Sequence, residues 1–96
     1  MRFGVRMEMP GLTQDQYDAM HAQLAPAGSE AEGFVAHISG PTQDGWYVME
    51  VWESKADFER FIQEKVVPMM PPGAPMPNVV EEFEVYSRQT KEELSA

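Results

Sequence analysis

A glutamate in the middle of an aromatic strand is the first residue whose setting could support chemistry. The segment GWYVMEVWES, taken as a strand, places Trp46, Glu50 and Trp52 on one face. Between two indole rings an ionised carboxylate loses solvation, and carboxylates in such settings act as bases or acids near neutral pH. The structural alternative is that Glu50 forms an ion pair with Arg2 or Arg6 on the first strand.

His37 is a second candidate, because it lies on the neighbouring predicted strand and one diagonal step from Glu50. A carboxylate at that distance can fix the tautomer of an imidazole, which then acts as a base. A histidine that is only hydrogen-bonded within the sheet is the competing interpretation. The candidate catalytic residues are therefore His37, Glu50 and Arg6, the last of which would steady a developing oxyanion.

His37 and Glu50 are also residue types that can bind a metal ion. His21 lies on the first predicted helix and could point towards His37 and Glu50, and two histidines with one carboxylate are the ligand types of a facial triad. The sequence has no HxH or HxxxH spacing that would bring such ligands together. We therefore predict no metal site.

Aromatic side chains could shape a pocket for a flat ligand. Trp46 and Trp52 could stack on it while Tyr17 and Tyr86 contribute hydroxyl groups. Packing in the core is the alternative for all four. Met69, Met70 and Met76, in the proline-rich segment over 68–77, are suited to a pliable apolar lid.

The elements that must position these residues are short and regular. Alternating apolar residues predict strands, Thr13 and Gln16 form a capping-box pattern, and Ser54 can cap a second helix. The predicted order is a strand over 2–9, a helix from Thr13 to Pro26, strands over 34–39 and 45–53, a helix after Ser54, and a strand over 79–86. This β-α-β-β-α-β order predicts an α+β, ferredoxin-like fold, a four-stranded antiparallel sheet with both helices on one face.

Neither face of that sheet is polar. A symmetric six-residue turn would set Ser39 opposite Trp46 and Val35 opposite Glu50, so these residues share one face. The predicted set on that face also includes Arg2, Arg6 and Glu8 of the first strand. The other face would be almost wholly apolar, with Phe3, Val5, Met7, Met9, Phe34, Ala36, Ile38, Tyr47, Met49, Val51, Val79, Phe83 and Val85. Because the helices cover one face only, we predict a homodimer in which a second copy covers the other.

Composition narrows the functional classes. A chain of 96 residues is one domain, predicted over 1–88 with a flexible tail over 89–96. With 16 acidic and 7 basic residues, the net charge of -9 disfavours nucleic-acid and membrane-surface partners. The absence of cysteine and of an apolar leader or span predicts a cytoplasmic protein.

The sequence also resembles a known group of proteins. The element order, the VWES of Val51 to Ser54, and the Phe58 and Phe61 that follow are similar to the dimeric α/β-barrel superfamily, within it to small antibiotic-biosynthesis-monooxygenase-type proteins. The PGLTQDQYDAM and HISGPTQDGW segments resemble a subgroup of short bacterial proteins of largely unassigned function. Haem-degrading members carry an Asn on the first strand, a Trp ending the third and a His on the second helix, of which only Trp52 has a counterpart here.

The resemblance implies a homodimer whose sheets form a barrel, with one small-molecule pocket per subunit between sheet and helices. It implies a monooxygenase-like enzyme that needs no cofactor and acts on an apolar aromatic or polyketide-like molecule. The same residues would serve an isomerase or cyclase. The rival class is a dimeric small-molecule-binding or accessory protein without catalysis, in which His37 and Glu50 are structural.

Overall fold

The alternating segments of the sequence form a single sheet. The computed structural model describes residues 1–70 and 76–95. Its strands are β1 (Arg2–Pro10), β2 (Phe34–Pro41), β3 (Gly45–Trp52) and β4 (Asn78–Val85). They pair antiparallel in the order β2-β3-β1-β4. With the helices described next, this confirms the predicted ferredoxin-like α+β fold.

Helix α1 (Gln14–Glu30) begins at the predicted capping box. The backbone N–H of Gln16 donates to the Thr13 hydroxyl at 3.1 Å, and the Gln16 side chain accepts from the Thr13 N–H at 3.0 Å. The predicted end at Pro26 is wrong, because Pro26 lies inside the helix. Pro26 is exposed, so water can reach the carbonyl that its missing N–H leaves without a partner.

The second helical stretch contains a widened turn. It starts as α2 (Lys55–Phe61), continues as a π-helical segment over Ile62–Val66, and ends as α3 (Val67–Met69). Ser54 caps it by accepting from the N–H of Asp57 at 3.2 Å. Pro68 lies in the short final turn and has no N–H for a regular helical ladder.

Two terminal or connecting segments complete the comparison with the sequence. Residues 71–75 lie outside the described residues, so the predicted apolar lid over 68–77 concerns a segment that is only partly described. Helix α4 (Lys91–Ser95) occurs where a tail was predicted. Thr90 and Glu93 close its first turn by reciprocal hydrogen bonds of 3.3 and 3.1 Å.

The β2–β3 register differs from the prediction by two residues. His37 lies directly opposite Glu50, and Pro41 rather than Ser39 lies opposite Trp46. An even shift preserves the face of each side chain, so His37 and Glu50 still share a face and are closer than predicted. An irregularity between Phe34 and Ala36 moves Phe34 opposite Trp52, onto the same face.

The predicted face of β1 is wrong. Val5 pairs with Glu50 and Met7 with Val48, so the apolar side chains of β1 share the face of the tryptophans. Arg6 pairs with Met49 and therefore lies on the opposite face from Glu50. The reason is burial, because the helices cover the tryptophan face and leave no room there for two arginines.

The core lies between that face and the helices. Val5 and Trp52 are fully buried, and Met7, Val48 and Phe58 pack with them in one cluster. At the far edge, Lys55 of α2 forms an ion pair of 2.8 Å with Glu82 of β4. The hydrogen bond to Glu82 raises the pKa of the exposed Lys55 amino group above its usual value.

Candidate functional site

A partly open cavity of about 260 Å³ lies between the helices and the inner face of the sheet. Most of its wall is apolar, and the polar side chains gather on the side of β2, β3 and α1. The lining residues are Met7, Met9, Tyr17, Met20, His21, Leu24, Ala25, Gly28, Ser29, Phe34, His37, Val48, Glu50, Phe61, Ile62, Val66 and Pro77. An apolar cavity with a few convergent polar groups is the usual form of a small-molecule site.

Glu50 lies at the inner end of a chain of hydrogen bonds. The indole Nε1–H of Trp52 donates to Glu50 Oε1 at 3.0 Å, and His37 Nδ1 lies 2.9 Å from Glu50 Oε2. The Glu50 side chain is only 11% exposed. Two donors on a nearly buried carboxylate compensate for the solvation that it loses.

For a neutral His37 beside an ionised Glu50, these contacts define the tautomer of the imidazole ring. An ionised carboxylate only accepts hydrogen bonds, so Nδ1 carries the proton and donates to Glu50. The lone pair then remains on Nε2, which lies 2.7 Å from the hydroxyl of Tyr17. A carboxylate, an imidazole held in one tautomer and a hydroxyl group in series are the components of a proton relay.

Tyr17 reaches this relay from α1. Its ring stacks on Trp46, with centroids 5.1 Å apart, and on His21 at 5.5 Å. The Ser39 hydroxyl donates to the Tyr17 oxygen at 2.7 Å. The phenol is thus held by two stacked rings and by hydrogen bonds to its hydroxyl group.

The structure brings some of the predicted site residues together. His37, Glu50 and Tyr17 line the cavity and are joined by hydrogen bonds. Trp52 contributes its Nε1–H to Glu50, but its ring is fully buried against Phe34, Phe58 and Phe61. Trp52 therefore supports the site from the core and does not form the cavity wall.

Trp46 contacts Tyr17 rather than the cavity itself. Its buried Nε1 has no hydrogen-bond partner among the residues that the structure describes. A buried donor of this kind costs about 1–3 kcal/mol.

Two predicted residues lie elsewhere. Tyr86 is 90% exposed after the end of β4 and does not line the cavity, so the structure does not bring it to the other site residues. Arg6 is on the outer face of the sheet, where it pairs with Glu8 at 2.8 Å and lies over the Tyr47 ring at 5.7 Å. The prediction that Arg6 and Glu50 share a face is therefore wrong.

Sequence reasoning missed several members of the site. Ser39 was assigned only to the sheet, and Met7 and Met9 were assigned to the opposite face, yet Ser39 holds Tyr17 and both methionines line the cavity. The i, i+4 spacing of Tyr17 and His21 was a signal that both rings share one helical face. The lid candidates Met69, Met70 and Met76 are not among the lining residues.

The described residues form neither a metal-binding cluster nor a membrane-spanning helix. Over 1–70 and 76–95, no group of three or more His, Asp or Glu side chains is placed to hold a metal ion. Over the same ranges, no helix is both long enough and apolar enough to cross a membrane.

Comparisons with known proteins identify the fold. No protein-family model matches the chain, and no curated protein sequence matches it either. The chain is similar to the crystal structure of a proposed antibiotic biosynthesis monooxygenase from Chloroflexus aurantiacus J-10-fl. The TM-score is 0.59 at 21% identity, over 94% of this chain and 96% of the other. At that identity the likeness is one of fold, and it agrees with the resemblance inferred from the sequence.

Proposed function

We propose that this chain is a small, cofactor-independent, monooxygenase-like enzyme that acts on an apolar aromatic or polyketide-like molecule. The observation that carries the proposal is the hydrogen-bonded series Trp52–Glu50–His37, which ends on an apolar cavity. The fold shared with a proposed monooxygenase supports it. The proton acceptor in this proposal is His37, held by Glu50.

The chemistry follows from the properties of electron-rich aromatics. Removal of a proton from a phenol or an enolisable ketone gives an anion that reacts with oxygen directly. The protein then has to supply a base, a fixed orientation and exclusion of water. His37 has a lone pair on Nε2 for this purpose, and Glu50 would stabilise the imidazolium that forms.

The cavity volume limits the ligand. An engineered apolar cavity of about 150 Å³ binds benzene. At about 260 Å³ this cavity has room for two fused rings but is smaller than most drug-sized sites. A bicyclic phenol is therefore a suitable probe.

The direct test is oxygenation of 1-naphthol. Abstraction of the hydroxyl proton and reaction with one O₂ would give 1,4-naphthoquinone and one water, so one oxygen atom enters the product. We expect quinone formation above the buffer rate, with incorporation of label from ¹⁸O₂ measured by mass spectrometry. If a panel of bicyclic phenols and enolisable ketones yields no turnover at all, the proposed activity is wrong.

We also propose that two copies associate through the outer face of the sheet. That face carries Ile38, which is 60% exposed, beside Met49, Tyr47 and Val51, and the helices lie on the other side. Exposed apolar side chains on an uncovered sheet face, here beside the Arg6–Glu8 ion pair, are typical of an interface. The resemblance of the sequence to the dimeric α/β-barrel superfamily supports a second copy as the partner.

Sedimentation tests the association. We expect the wild-type protein to sediment as a dimer at micromolar concentration and Ile38→Lys to shift it towards the monomer, because a buried lysine opposite an apolar surface is costly. Leu94→Lys is the matched control, since Leu94 is an apolar residue that is 67% exposed on α4 and is not part of the sheet. A wild-type monomer at that concentration contradicts the proposed dimer.

One observation favours the rival function. His37 Nε2 already has a partner in the Tyr17 hydroxyl, which is also what a purely structural histidine would show. The chain would then be a ligand-binding protein without catalysis. Tight binding of bicyclic aromatics with no conversion would support that function.

A further inference from the structure

The Tyr17 hydroxyl has more polar neighbours than any other side chain that lines the cavity among the described residues. Its oxygen lies 2.7 Å from His37 Nε2, 2.7 Å from Ser39 Oγ and 3.4 Å from His21 Nδ1. A phenol has one proton to donate, so at most one of these three contacts uses it.

The direction of that proton follows from Glu50. Because Glu50 accepts from His37 Nδ1–H, Nε2 of the neutral ring can only accept. The Tyr17 O–H therefore donates to His37, and the Ser39 hydroxyl donates to the Tyr17 oxygen. His21 is exposed, and its long contact would also be made as a donor. The phenol oxygen thus faces donors on one side and a proton acceptor on the other.

From this arrangement we propose that Tyr17 is the catalytic residue that touches the substrate, and that His37 and Glu50 act through it. The inference rests on the proposed function for its substrate, since both concern the same cavity. It differs in the group that meets the ligand, because His37 Nε2 is covered by the Tyr17 hydroxyl and only 24% of the His37 side chain is exposed.

The proton-transfer step balances within these groups. The substrate hydroxyl gives its proton to the Tyr17 oxygen while the Tyr17 O–H passes its own proton to His37 Nε2. The substrate becomes an oxyanion, Tyr17 keeps one proton, and His37 becomes an imidazolium paired with the Glu50 carboxylate. The substrate oxygen takes the place of the long His21 contact, and the O–H that Tyr17 regains donates to the new oxyanion.

The same geometry defines the ligand more closely. Stacking on Trp46 and His21 holds the Tyr17 ring, so its hydroxyl projects at one position on the cavity wall. The rest of the wall is mainly apolar. The site therefore suits a flat ring system with one hydroxyl group at its end, and it should distinguish such a ligand from the same ring without the hydroxyl.

Binding of two matched probes tests the assignment. 1-Naphthol and naphthalene differ only in the hydroxyl, and their dissociation constants can be measured by fluorescence titration in wild type and Tyr17→Phe. We expect wild type to prefer 1-naphthol by about 2- to 10-fold, the size of one hydrogen bond, and Tyr17→Phe to lose that preference with naphthalene binding unchanged. Tyr86→Phe, at an exposed tyrosine, should retain the preference.

Three results would overturn the inference. Equal loss of both probes in Tyr17→Phe would mean that Tyr17 only shapes the cavity. An unchanged preference in Tyr17→Phe would mean that another group meets the hydroxyl. If wild type binds naphthalene as tightly as 1-naphthol, or binds neither probe, then Tyr17 does not contact a ligand hydroxyl in the cavity.

A ligand-free measurement separates this inference from the proposed function. Long-range ¹H–¹⁵N NMR correlations report the tautomer of His37, which we expect to be Nδ1–H, with the Nε2 shift changed in Tyr17→Phe and the Nδ1 shift retained. An Nε2–H tautomer would reverse the Tyr17 hydrogen bond and overturn the assignment even if turnover is found. Conversely, if wild type prefers 1-naphthol, Tyr17→Phe loses that preference and no turnover is found, the proposed activity is wrong and Tyr17 remains the ligand contact.

Discussion

Replacement of Trp52 by alanine is expected to lower the free energy of unfolding by about 3–5 kcal/mol. Trp52 is fully buried, and its ring contacts Phe34, Phe58 and Phe61, so the substitution would leave a cavity between the sheet and α2. Total stabilities of small domains are about 5–15 kcal/mol, so this loss would be a large share of the whole. Urea unfolding followed by circular dichroism measures it through the transition midpoint.

Two further variants separate packing from hydrogen bonding. Trp52→Phe keeps an aromatic ring but removes the donor to Glu50 Oε1, which should cost about 1–3 kcal/mol for the nearly buried carboxylate. Tyr86→Ala removes an aromatic ring that is 90% exposed and should change stability by less than about 0.5 kcal/mol. If Trp52→Ala unfolds at the same urea concentration as Tyr86→Ala, the placement of Trp52 in the core is wrong.

Loss of the His37 imidazole is the second change with a large expected effect. In the proposed enzyme, His37→Ala should lower the turnover of 1-naphthol by about 10²–10⁴-fold, the range for removal of a general base. The Tyr17 hydroxyl would then lack its acceptor, and Glu50 would lose one of its two donors. Initial rates of quinone formation measure the effect.

The controls for His37→Ala separate catalysis from folding. Gln23→Ala changes an exposed side chain of α1 away from the cavity lining and should keep the wild-type rate. Added imidazole should partly restore the rate of His37→Ala, because it can occupy the space left by the side chain.

A dimer with an equal or higher melting temperature in His37→Ala and Glu50→Gln would show that these residues serve function rather than stability. Strong destabilisation by both, with turnover retained per folded molecule, would make the pair structural.

The hairpin illustrates what local sequence can predict. His37 and Glu50 are on consecutive strands joined by a short turn, so their faces are coupled through that turn. The predicted register is in error by two residues, and an even error leaves the faces of His37 and Glu50 unchanged, whereas the irregularity after Phe34 moves that residue to the other face. The sequence therefore predicts that His37 and Glu50 are neighbours on one face, but it does not predict the direct contact of 2.9 Å.

Strand β1 illustrates the opposite case. Its alternation was plain, but its face relative to β3 depends on pairing between distant parts of the chain. The prediction put Arg6 in the mixed set on the face of Glu50, whereas burial of Val5 and Met7 under the helices decided the orientation. Both arrangements satisfy the local pattern, and only the larger apolar area buried distinguishes them.

By itself, the sequence determined the kinds and order of the elements, since strand alternation, the Thr13 and Ser54 caps and the turn residues are all properties of neighbouring positions. The tertiary structure alone decided which face of β1 looks inward, that Trp52 supports Glu50 from the core, and that Tyr17 stands between His37 and the cavity. The physical reason is that these outcomes depend on how the helices pack on the sheet. Packing between elements is set by burial over the whole molecule, which no short segment contains.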